Sequence, residues 1–136
     1  MPKKKAAPKA GVPVEHWKPD PEEHDFPAAH DFLSLVVSEE TAVSLVDALK
    51  AATMFQRKAK DLLRASRESL LPRANPHVAA DLAKVAAGDK LSPVLLVRGR
   101  ALDGVPLVIA DGYHRICASW YLDENADIPC RIVDFP

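Results

Sequence analysis

Val108-Ile109-Ala110-Asp111-Gly112-Tyr113-His114-Arg115 decides how this chain is read: an apolar β-type run stops at a glycine, and an amphipathic helical period starts within two residues. Such a junction favours anions. The first N–H groups of a helix have no internal partner and carry the positive end of its dipole, so a phosphate or carboxylate is stabilised there. Gly112 permits the close backbone approach and unusual φ of a phosphate-cradling turn, and Arg115 offers bidentate hydrogen bonds to phosphate oxygens. His114 reads as a phosphate donor and candidate catalytic group, or as a ring stacked in the turn. Asp111 has two readings: a Mg²⁺ ligand and catalytic carboxylate that orients water or a hydroxyl, or the N-cap of the following helix. In the purely structural version of the loop, Asp111 caps the helix, Arg115 pairs with Asp134, and Tyr113 packs with its hydroxyl satisfied.

Outward from this junction, the spacing predicts a helix over Tyr113–Leu122 and a last strand over Ile128–Val133. Upstream, Pro93–Val97 and Val105–Ala110 are strand-like runs separated by an Asp103-Gly104 turn signal, which predicts two buried antiparallel strands. Asn75-Pro76 supplies a cap and a first-turn proline for a helix to Ala87 that buries Val78, Leu82, Val85 and Ala86, with Gly88 as its left-handed end. Ser38 followed by Glu39 and Glu40 predicts another start, with Ala42, Leu45, Val46, Leu49 and Ala52 at helical spacing. Phe55–Ser66 reads as continued helix through Ala59, Leu62 and Leu63. The expected fold is a small α+β domain over residues 26–136, with helices packed on a mixed β-sheet. Residues 1–25, rich in lysine and proline, read as a disordered tail.

With 136 residues, 48% of them apolar, the chain can bury one core. Its net charge of −1 argues against non-specific coating of nucleic acid. The charge is uneven, however, and Arg57, Lys58, Lys60, Arg64 and Arg67 make one stretch basic. Cys117 and Cys130 are too few for a disulfide framework and lack zinc-knuckle spacing, so a reducing compartment, the cytoplasm, is expected. No apolar run approaches the roughly 20 residues of a membrane span, so no membrane partner is expected.

From Asn75 onward the order of elements resembles the ParB/sulfiredoxin fold. The matching pieces are the helix ending at Gly88, Leu91-Ser92-Pro93-Val94-Leu95-Leu96-Val97, Leu107 through Arg115, and Ile128-Pro129-Cys130-Arg131-Ile132, about half the chain. ParB N-terminal domains use a similar strand, glycine turn and arginine-bearing helix start to bind CTP phosphates. Sulfiredoxins carry Gly-Cys-His-Arg at this place and use it with ATP. The resemblance implies a nucleotide-phosphate-binding protein, an NTPase or phosphotransferase taking a nucleoside triphosphate (ATP or CTP) with Mg. Its ligand-binding residues would be Gly112, Tyr113, His114 and Arg115, helped by Arg98 and His77, with Asp111 and His114 catalytic and Asp111 on the metal. A related group of small kinases carries a similar Asp-Gly loop. Tyr113 stands where sulfiredoxins have their cysteine, so sulfinic acid repair is not implied, and Cys117 reads as a buried structural thiol. No helix-turn-helix module is recognisable. Two alternatives remain: a DNA-binding or nuclease-like partition accessory domain using the basic stretch, and a non-catalytic interaction protein, with a homodimer among the candidate partners.

Overall fold

In the computed structural model, which describes residues 16–136, five helices pack on a four-stranded mixed sheet. The elements are α1 (Asp25–Leu33), α2 (Glu39–Ala51), β1 (Met54–Lys58), α3 (Ala59–Ser66), α4 (Pro76–Ala86), β2 (Val94–Val97), β3 (Val108–Asp111), α5 (Tyr113–Leu122) and β4 (Asp127–Val133). In the sheet the order is β1-β4-β2-β3. β2 runs antiparallel to β3 and parallel to β4, and β1 runs antiparallel to β4.

β2 is buried at every position, which is why its sequence is an unbroken Val-Leu-Leu-Val with no polar alternation. Val94 and Leu96 enter a core shared with α3, α4 and α5, whereas Leu95 and Val97 enter a second core with α1 and α2. Both faces of the sheet are therefore covered. Local signals start the helices as expected: the Ser38 hydroxyl accepts from Thr41 N at 3.2 Å, and Asn75 Oδ1 accepts from His77 N and Val78 N ahead of Pro76. Gly88 has φ +85°, just beyond α4. On that helix Ala86 is exposed and Leu82 only half-buried, while Asp81 lies inward beside Val78 and Val85.

Two expectations need correction. The helix expected over Phe55–Ser66 divides at Ala59, and Met54–Lys58 before it is an edge strand. Its register, Met54 opposite Arg131 and Lys58 opposite Asp127, is set by a partner 69 to 77 positions away, which a local period cannot report. The second correction concerns the expected tail. Residues 1–15 lie outside the described residues, but residues 16–25 belong to the fold. Trp17 is only 3% exposed and joins the core beside Leu91, with Leu91 N donating to His16 O and Lys18 N to Leu91 O, each at 2.8 Å. Asp25, 1% exposed, opens α1. A single large indole outweighs the surrounding proline and lysine because it buries so much apolar area.

Among the described residues no helix is long and apolar enough to cross a membrane. Trp17→Ala is expected to lower unfolding stability by about 3 kcal/mol, the scale of a vacated aromatic site. Denaturant titration checks this, and a change within error would return residues 16–25 to the status of a tail.

Candidate functional site

Asp111 ends β3, and Gly112 is the N-cap of α5 at φ +109°. No side chain caps α5, so the expected cap role of Asp111 is not what the structure has. Its Oδ2 instead accepts from Arg115 Nη2 at 2.8 Å, a charge-assisted bond available one helical turn on. Arg115 Nη2 also donates to Pro93 O at 3.3 Å, and Nη1 stands 4.0 Å from Asp25 Oδ1. Asp25 in turn accepts from Glu22 N at 2.8 Å and from the Ser92 hydroxyl. The acidic partners of Arg115 are thus Asp111 and Asp25, not Asp134. Gly112 makes this possible, since a Cβ there would collide with the Val94 side chain and come within 3.0 Å of Arg115 Nη2.

A cavity of about 260 Å³ opens beside this turn. His77, Asp81 and Lys84 of α4 line one side, and Asp111, Gly112, His114 and Arg115 line the other. The His77 and His114 rings lie 4.6 Å apart and tilted by 41°. Of the residues expected at the site, His77, Asp111, Gly112, His114 and Arg115 converge, and two do not. Arg98 follows the far end of β2, whereas Asp111 sits opposite Leu95 in the antiparallel register, so Arg98 is directed elsewhere and pairs with Asp134 at 2.7 Å. Tyr113 turns out of the cavity, packs against the core and donates its hydroxyl to Ser69 O.

Asp81 and Lys84 were not anticipated, although their signal is present. His77, Asp81 and Lys84 recur at helical spacing as a polar stripe on α4, beside the apolar stripe of Val78, Leu82 and Val85. Asp25 was hidden in the stretch read as tail.

The electrostatics follow from partial burial. Burial raises the pKa of Asp111 against the opposing Arg115 charge and hydrogen bond, and neighbouring Asp25 adds to the rise. Asp81 is raised by burial too, opposed by Arg115, Lys84 and the two histidines. Burial, then the His77 ring, lowers His114, leaving a neutral imidazole near pH 7 with one donor and one acceptor nitrogen. Cys117 is no nucleophile candidate, because it is buried and burial pushes its thiol up. Burial likewise pushes Cys130 up to about 11. Among the described residues no group of three or more His, Cys, Asp or Glu could hold a metal by itself. Asp111 and Asp81 do offer carboxylates to the cavity, the donor set of a Mg²⁺ ion that draws its other ligands from water and phosphate.

Gly112→Ala is expected to cost about 2–4 kcal/mol of stability through strained φ and the Val94 collision, read as a lower denaturation midpoint. His114 also has a pH signature. Its folded-state pKa lies below the ordinary 6.5, so above 6.5 both states are neutral and nothing is lost. Below 6.5 the unfolded chain protonates first and stability falls. Between about pH 7.5 and about pH 5.5 the wild type should lose more stability than His114→Gln; parallel losses would remove the burial assigned to this ring. No family model, curated protein or solved structure matches the chain.

Proposed function

We propose that the cavity at the start of α5 binds the phosphates of a magnesium-complexed nucleoside triphosphate, ATP or CTP. The observation that carries this reading is the convergence of the α5 start at Gly112 with His77, Lys84, His114, Asp81 and Asp111 around one concavity. The two cations Lys84 and Arg115 face the two carboxylates Asp81 and Asp111, so among these four groups a bare polyphosphate meets no excess of positive charge. A magnesium complex carries less negative charge and brings the cation that the carboxylates favour.

In this reading Asp111 takes the metal, and Arg115, already bonded to it, holds that carboxylate at the cavity edge. Lys84, His114 and the first amides of α5 face the phosphates. Bound Mg²⁺ would draw charge from the phosphate oxygens. The acceptor nitrogen of neutral His114 is suited to take a proton from water or a hydroxyl, as an NTPase or phosphotransferase requires. The likeness of Gly112-Tyr113-His114-Arg115 to the helix start of ParB and sulfiredoxin proteins supports the same ligand class. Tyr113 in place of cysteine speaks against sulfinic acid repair. The basic stretch behind the DNA-binding alternative is interrupted, with Lys58 paired to Asp127 and Arg64 to Asp61. Two buried thiols with no disulfide fit a reducing compartment, the cytoplasm.

Calorimetric titration with Mg·ATP and Mg·CTP at about 1 mM should give saturable heat with one of them. Lys84→Ala should weaken that binding about 3–10-fold, the scale of one exposed phosphate contact. Asp111→Asn should abolish its magnesium dependence. Absence of heat with both nucleotides, in protein shown to be folded, overturns the reading.

A further inference from the structure

A second, larger cavity of about 370 Å³ lies at the opposite end of the β2–β3 hairpin, away from Asp111. Its walls are hydrocarbon: Leu62 and Ala65 of α3, Leu96 of β2, Leu107 before β3 and Ile132 of β4. Leu107 N donates to Ala65 O at 3.0 Å, which ties the hairpin to the helix and shapes the opening. The mouth is basic, carrying Arg57, Arg67 and Arg98. The one carboxylate in the lining, Asp61, is taken up by Arg64 at 3.2 Å.

The three arginines differ in what holds them. Arg57 donates to Gln56 O and lies over the Phe55 ring, and Arg98 pairs with Asp134 where both side chains are largely exposed. Arg67 makes no ion pair with a described residue. It ends α3 in the left-handed region at φ 61°, the one described non-glycine residue with positive φ. Glycine or asparagine would occupy that position with less strain.

We propose that this cavity binds a small amphipathic carboxylate, an acyl or arylalkyl acid. The hydrocarbon lies against Ala65, Leu107 and Ile132, over the buried Leu62 and Leu96, and the carboxylate meets Arg67, with Arg98 exchanging its exposed partner Asp134 for the ligand. The size suits such a molecule, since small-ligand pockets run from about 300 to about 1,000 Å³ with mostly apolar walls and a few polar groups that fix orientation. An apolar floor under a rim of three arginines and one carboxylate selects for one hydrocarbon end and one anionic end. This inference does not depend on the nucleotide reading, because the two cavities share no lining residue.

The test uses octanoate as the probe, below its micelle concentration, followed by amide chemical shifts of the full chain. Saturable shifts are expected at Leu96, Leu107 and Ile132, with little change at Gly112–Arg115. Ala65 is exposed on the wall, so Ala65→Phe blocks the cavity without entering the core and should weaken binding about tenfold or more. Arg67→Glu, which leaves the walls intact, should weaken it similarly, and octan-1-ol should bind about tenfold less tightly than octanoate. Absence of saturable shifts, equal affinity in a folded Ala65→Phe or in Arg67→Glu, or equal affinity for octan-1-ol would each overturn the proposal.

Discussion

One guanidinium between two carboxylates organises this molecule. Arg115 joins Asp111 at the end of β3, Asp25 at the start of α1 and Pro93 O ahead of β2, so one side chain ties the β3–α5 junction to two segments distant in sequence. Most polar atoms in the cluster are occupied, since Asp25 also accepts from Glu22 N and the Ser92 hydroxyl, while Arg115 Nε is buried without a partner. Removing Arg115 would leave the buried Asp25 and the partly buried Asp111 uncompensated, at a cost below the roughly 3–5 kcal/mol typical of a fully buried pair. Gly112 belongs to the same constraint, as any larger residue would intrude on both Val94 and the guanidinium.

That cluster also sets the character of the adjoining cavity. Two carboxylates share one guanidinium, and partial burial keeps Asp111 and Asp81 more willing to hold a proton than carboxylates in water. His114, desolvated beside His77, stays neutral. With both carboxylates ionised they match Lys84 and Arg115, and the cavity then has little attraction for a bare polyanion and more for an anion that arrives with its own cation. The proposed magnesium nucleotide follows from that balance as much as from the helix terminus.

Much of the fold was legible in local chemistry. Ser38 and Asn75 cap the helices their side chains predict, Tyr113–Leu122 begins and ends where the apolar period does, and the continuous Val-Leu-Leu-Val run is the doubly buried central strand. The site was legible only in part. His77, Gly112, His114 and Arg115 could be placed near one another from a turn and two helix starts, yet Asp81 and Lys84 required α4 to be viewed as a polar stripe as well as an apolar one. Arg98 lies away from the site because the antiparallel register carries the end of β2 to the opposite end of the hairpin from Asp111, and proximity to a strand end does not report that register.

By itself the sequence determined those features whose energetics are short-ranged: caps, turn glycines, helix periods and the burial of β2. Tertiary structure alone decided that Met54–Lys58 would be a strand, that Trp17 would anchor the stretch before α1, and that Arg115 would reach Asp25 and not Asp134. The reason is physical. Strand pairing, indole burial and ion-pair choice are settled by which groups meet after the chain has folded, and the partners here stand up to ninety positions apart, beyond the reach of any local pattern.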